Sequence, residues 1–241
     1  MFSKLLSKAS LYWRFAFVDL PRKYRQKYTL LYPHGLLPIV AKKYPELGNV
    51  KVFVESGTFK GKTAMVESQY FRDVHTIELS PDLYLANLPV FQERFPNIFA
   101  YEGDSARVLQ DLVITIKEPC LFFLDAHWSG DHRVDWKKSE WQGYGTDTAF
   151  RGDTWPPSAE QQCPLVDEAR VIGESFKFPS IVVIDDWSVV GTRDHAFAGE
   201  DWGSISLDRI LDALGRQRVL ESFETEYAGK RRMNIVLSGC E

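Results

Sequence analysis

The chain lacks what would place it across a membrane, in an oxidising compartment or on nucleic acid. No apolar run approaches the ~20 residues needed to span a bilayer. Its three cysteines, Cys120, Cys163 and Cys240, stand far apart and match neither a metal-ligand spacing nor a disulfide framework. A soluble protein in the reducing cytoplasm is therefore expected. Positive charge is not in excess: 29 Lys and Arg face 33 Asp and Glu, for a net charge of −4. General nucleic-acid binding, which needs a basic face to neutralise phosphates, is not expected. Internal repeats and low-complexity tracts are absent, and so is the G-x-G-x-x-G phrase of dinucleotide sites.

What is present divides unevenly along the chain. Residues 1–30 hold Lys4, Lys8, Arg14, Arg22, Lys23, Arg25 and Lys27 against Asp19 alone, a net +6 that leaves −10 for the remainder. Phe2, Leu5, Leu6, Tyr12, Trp13, Phe15 and Phe17 lie among these charges, without the unbroken apolar core of a secretory signal. Residues 1–47 thus read as a basic, aromatic-rich helical extension. Such a helix either lies on an anionic membrane, docks on a partner protein, or packs on its own domain or across a homodimer. Residues 48–241 read as one domain, a size that supports a substantial core.

Within that domain, short apolar runs alternate with helical patterns. Strands are expected at residues 52–54, 74–77, 98–101, 121–124 and 181–184, and helices near 63–71, 83–95, 105–112, 165–176 and 206–214. Apolar strands flanked by helices predict an α/β fold: a mostly parallel sheet covered on both faces. Two later runs, 219–225 and 233–237, are joined by Ala228-Gly229-Lys230 and predict an antiparallel hairpin at one edge. A seven-stranded sheet finished in this way is the Rossmann-like arrangement of class I methyltransferases.

The first turn reads Glu55-Ser-Gly57-Thr58-Phe59-Lys-Gly61-Lys-Thr63, and the second strand leads into Thr76-Ile-Glu78-Leu79-Ser-Pro-Asp82. Glycines at this turn let backbone approach a ligand, and an acid about 20 residues later suits ribose hydroxyls. An acid at Glu55 would repel a pyrophosphate but suits an ammonium, which points to S-adenosylmethionine. Gly103-Asp104-Ser105, after the third strand, offers an acceptor for the adenine amino group. Glu55 and Asp104 as helix caps, with Glu78 simply solvated, is the structural alternative.

A second acidic group follows. Phe122-Phe-Leu-Asp125-Ala-His127 ends one strand and Val182-Val-Ile-Asp185-Asp186 the next. Carboxyl ends of strands border the ligand crevice in open α/β sheets, so Asp125, Asp185 and Asp186 are expected to converge. Three carboxylates at one place repel unless protonated or bound to a cation, and Mg²⁺ or another hard divalent ion prefers such oxygens. Their alternative role is to cap the following turn.

The glycine loop and the phrase at residues 76–82 resemble those of cation-dependent O-methyltransferases of the catechol type, and also metal-dependent sugar O-methyltransferases. The resemblance covers about residues 50–190. It implies S-adenosylmethionine, Mg²⁺ and a small-molecule hydroxyl acceptor, with Asp125 and Asp185 at metal positions and Asp186 where asparagine is common. The catechol-type lysine base has no counterpart here before Lys137. His127 takes its place as the candidate base, since imidazole titrates near neutrality; orienting a metal ligand and satisfying a buried carbonyl are its other readings.

Residues 128–163 carry Trp128, Trp136, Trp141, Tyr144, Phe150 and Trp155 among glycines and charges, a pattern for an acceptor-facing lid or for a locally folded insertion. Gly191-Thr-Arg193-Asp-His195 is a further candidate substrate loop, and Glu168 is expected to pair with a surface cation. Two other functions fit parts of this pattern. They are an NAD-linked oxidoreductase or epimerase, because Glu78 suits any ribose, and a non-catalytic cofactor-binding partner protein.

Overall fold

The computed structural model describes residues 32–127, 163–192, 202–227 and 229–240. The basic N-terminal segment before residue 32 and most of the Trp-rich insertion lie outside the described residues, as do Arg193 and His195.

Seven strands form one sheet: β1 (Val52–Ser56), β2 (Asp73–Glu78), β3 (Ile98–Glu102), β4 (Cys120–Leu124), β5 (Ser180–Ile184), β6 (Val219–Tyr227) and β7 (Lys230–Leu237). Their order is β3-β2-β1-β4-β5-β7-β6. The first five pair in parallel, while β7 runs antiparallel to both β5 and β6. This is the Rossmann-like sheet with an antiparallel edge pair that the alternating pattern predicts. The order reverses between β1 and β4, which opens a crevice there at the carboxyl ends of the strands.

Both faces are covered, so the central strands read as continuous apolar runs. Val52, Val54, Phe122, Leu124, Val182 and Ile184 face one core, and Phe53, Leu121, Phe123, Ile181 and Val183 the other. The alternation follows from the two-residue period of a strand. A short helix α1 (Leu37–Val40), α2 (Lys62–Glu67) and α3 (Pro81–Arg94) supply Val40, Ala64, Met65 and Phe91 to the second core. The first core is closed by α4 (Ser105–Val113), α5 (Leu165–Ser175) and α6 (Leu207–Ala213).

Local chemistry sets these boundaries. Ser80 caps α3 and Pro81 opens it, because the missing proline N–H is one that a first turn leaves unpaired anyway. Asp104 caps α4 through the Arg107 N–H, and Ser206 caps α6. One helix is shorter than its pattern: α2 ends at Glu67, four residues before the expected end. The Asn97 side-chain amide, arriving just before β3, donates to the carbonyls of Ser68 and Phe71. That satisfies the freed carbonyls and lets the chain turn into β2.

Candidate functional site

The loop after β1 is drawn into the protein. Gly57 and Thr58 N–H groups both donate to the Ile77 carbonyl, Gly61 N–H to the Thr58 carbonyl, and Phe59 N–H to Glu78 Oε2 at 2.7 Å. A phosphate-binding loop aims such groups outward at its ligand. Gly57 is needed here for chain packing. At φ +85° a Cβ would lie 2.6 Å from the Asp125 carbonyl oxygen, so any side chain would force β1 and β4 apart at the crevice. Gly61, at φ +68°, likewise gives its room to the Phe91 ring. Phe59 adopts the left-handed region at φ 47° and is pinned by Asn87 Nδ2 on its carbonyl at 2.6 Å.

The expected cofactor residues divide by depth. Glu55 is buried under the loop and accepts a hydrogen bond from Thr76 Oγ1 at 2.6 Å; Thr58 Oγ1 meets the same hydroxyl at 2.6 Å. Burial raises the Glu55 pKa well above the usual range, against the hydroxyls of Thr76 and Thr63. Glu78, at the end of β2, accepts from Phe59 N–H and from Ser80 N–H at 2.9 Å. Burial pushes its pKa up to about 7, with the backbone donors of Ser80, Phe59 and Leu79 opposing. Both of its oxygens keep a lone pair for a further donor. Asp104 uses one oxygen to cap α4, and Ser105 is buried at the start of that helix.

Across the switch point, Asp125 and His127 follow β4, and Asp186 follows β5. One donor atom from each of the three lies within 4.8 Å of the others. His127 Nε2 is 3.3 Å from Asp186 Oδ2 and 4.0 Å from Asp125 Oδ1, and its ring packs on Trp202 at 5.7 Å. All three side chains stay partly exposed, so a ligand can reach them. Asp186 sits at φ 48°, a left-handed conformation that aspartate tolerates better than most residues. The hydrogen bond with His127 lowers its pKa, whereas burial and the neighbouring Asp185 raise that of Asp125.

Asp185, expected beside these two aspartates, lies at the same cleft as Asp125 but is held by another partner. There it is buried against Arg232, whose Nε lies 2.6 Å from Oδ1 and whose guanidinium covers the Phe123 ring. Residues alternate faces along a strand, so Asp185 pairs with Arg232 while Asp186 pairs with His127. Lys230 Nζ stands 3.7 Å from both Asp185 and Asp186. Three carboxylates therefore meet two cations from β7, which lessens the repulsion that the sequence pattern implied. Arg232 carries no motif, and only the antiparallel pairing of β7 with β5 brings it here.

Glu168 also departs from expectation. Instead of pairing with a surface cation it is fully buried, and it lines a cleft with Asp125, His127 and Trp202. Its signal was the spacing Leu165, Glu168, Ala169, Ile172: the acid occupies the core-facing stripe of α5.

No family model matches this chain, and no curated protein does. Solved structures with a similar fold include an amino pentose methyltransferase from Micromonospora echinaspora with bound S-adenosylmethionine, at 10% identity and TM-score 0.46, covering 92% of this chain and 99% of that one. A TehB-like S-adenosylmethionine-dependent methyltransferase from Corynebacterium glutamicum aligns at 14% identity and TM-score 0.44, over 98% of each chain. An rRNA methylase from Streptococcus thermophilus aligns at 9% identity and TM-score 0.41, over 79% of this chain and 88% of that one. At such distance none of them bears on what this chain does.

Proposed function

We propose that this protein transfers the methyl group of S-adenosylmethionine to a hydroxyl oxygen of a small molecule, such as a sugar. The observation that carries the reading is the placement of two groups across one crevice. Glu78 and the glycine loop stand on the β1 and β2 side, and Asp125, His127 and Asp186 stand on the β4 and β5 side. The strand order, with β7 antiparallel, is that of class I methyltransferases and supports the same reading. An NAD-linked activity is disfavoured because the loop N–H groups of Gly57, Thr58, Phe59 and Gly61 are spent inside the protein.

In this reading Glu78 accepts the ribose hydroxyls, and its bonds to Phe59 and Ser80 fix it in place beforehand. Glu55 acts from beneath, holding the loop through Thr76. Asp104 keeps one oxygen for the adenine amino group. Holding donor and acceptor in line is worth on the order of 7–11 kcal/mol of barrier, so positioning carries most of the rate.

Asp125, His127 and Asp186 suit a divalent cation such as Mg²⁺, since they offer two hard oxygens and an imidazole nitrogen close together and within reach of solvent. When bound there, the cation lowers the pKa of the acceptor hydroxyl. A metal-free reading rests on the 3.3 Å contact of His127 with Asp186 and on the two β7 cations. There the His127 imidazole takes the hydroxyl proton on the nitrogen not engaged by Asp186, and Asp186, beside Nε2, stabilises the imidazolium. Turnover after exhaustive chelation separates the two: loss restored by Mg²⁺ supports the cation, and full retention supports the histidine base.

The cofactor is tested by thermal shift. S-adenosylhomocysteine should raise the melting temperature and NAD should leave it unchanged. The reverse result overturns the proposal.

A further inference from the structure

We propose that Glu168 binds a positively charged nitrogen of the methyl acceptor, so that the acceptor is an amine-bearing hydroxyl compound such as an amino sugar. This rests on the methyltransferase reading for the word acceptor, but the geometry behind it is separate.

Glu168 has no exposed surface, and among the described residues neither carboxyl oxygen has a hydrogen-bond partner. The hydroxyls of Ser56 and Ser105 face it, and their proximity opposes the burial that pushes its pKa up to about 7. Neither reaches hydrogen-bonding geometry, and Ser56 Oγ is itself buried without a partner. A lone acid on the core stripe of α5 is costly to fold around, because both of its charge states lose water without compensation. Such a group is retained where a ligand completes it.

The cleft states which ligand. Leu165, Ile184 and Trp202 give apolar walls, while Glu168, Asp125, Asp185 and His127 line the space between them. That space lies at the ends of β4 and β5, with Ser56 at the end of β1 and Ser105 at the start of α4 facing Glu168 at its inner end. Its other end, at Asp125 and His127, is the side that the proposed function assigns to the acceptor. An anionic group is disfavoured by Asp125 and Asp185 in the same lining, and a neutral hydroxyl would bring a donor without the balancing charge. An ammonium supplies both the donor and the charge that a buried carboxylate needs. The cleft has room for a group about the size of one water, so the ammonium enters it while the ring or chain that carries it lies at the mouth, with a neighbouring hydroxyl toward Asp125 and His127.

The test measures binding to the chelator-treated full chain near about pH 7.5, with and without saturating S-adenosylhomocysteine. The probes are matched pairs: methyl glucosaminide against methyl glucoside, and dopamine against its uncharged propylcatechol isostere. In at least one pair the amine should bind about tenfold tighter or more, the scale of one charge-assisted hydrogen bond. Glu168→Gln should cut that preference below about twofold and leave S-adenosylhomocysteine affinity unchanged, and Glu168→Asp should restore part of it. Equal binding within both pairs, or a preference that survives Glu168→Gln, overturns the proposal. So does loss of S-adenosylhomocysteine affinity in Glu168→Gln, which would assign the carboxyl to the cofactor. If wild type binds no S-adenosylhomocysteine yet keeps a Glu168-dependent amine preference, the methyltransferase reading falls and the ammonium site stands.

Discussion

Arg232→Met removes the cation from Asp185 while keeping a flexible stem over the Phe123 ring. The side chains of Asp185 and Arg232 are 4% and 13% exposed, and the contact is 2.6 Å. Stripping one partner from a buried pair of this kind costs about 3–5 kcal/mol, because the remaining charge keeps its desolvation penalty. Lys230 offsets part of this. Its Nζ is 3.7 Å from Asp185 Oδ2, but its side chain is 58% exposed, and an ion pair so open to water contributes about 0–1 kcal/mol. The net expectation is about 2–5 kcal/mol. For a chain of this size each kcal/mol lowers the melting temperature by roughly 2–4 °C, so the variant should melt about 10 °C below wild type. Asp185→Asn in the same background removes the orphaned charge and should recover most of the loss. Urea denaturation of wild type, both single variants and the double variant closes the cycle. A double variant as unstable as Arg232→Met alone would refute the electrostatic account and leave only lost packing.

Gly57→Ala should destabilise by about 2–4 kcal/mol in urea denaturation, combining left-handed strain with the clash on the Asp125 carbonyl. Unchanged stability would mean that β1 and β4 can part freely at the crevice. Glu168 contributes a stability term that runs opposite to the usual acid case. Its folded pKa of about 7 lies above its unfolded value of 4.5, so the term is fully present below the unfolded value and is lost as pH rises through the folded one. Glu168→Gln should therefore match wild type near about pH 4.5 and melt higher above about pH 8; equal melting at both ends would show that the acid is not penalised by burial. Glu78→Gln should weaken S-adenosylhomocysteine about tenfold or more by calorimetry, the scale of a hydrogen bond to a charged group, and undiminished affinity would remove Glu78 from the ribose site.

Much of the architecture was legible because its signals are local. Strand and helix periods, Ser80 and Asp104 as caps, and the Gly229 turn depend on near neighbours in the chain. They yield the order of elements, the covered parallel sheet and the edge hairpin. The ends of β1, β2, β4 and β5 were legible too, and with them the acids that border the crevice. Partners were not legible. Asp185 and Asp186 are adjacent, yet one faces Arg232 and the other His127. Glycines read as room for a ligand give their room to the Asp125 carbonyl and the Phe91 ring.

The amino-acid pattern by itself determined that acids would end the strands and that the sheet would have a crevice beside them. Only the tertiary structure decided which acids are neutralised, which approach an imidazole and which one, Glu168, is enclosed without a hydrogen-bond partner among the described residues. The reason is physical. Periodicity acts over a few residues, whereas the charge a carboxylate meets is set by strands and helices 40 or more residues away, as with Asp185 and Arg232 at a separation of 47.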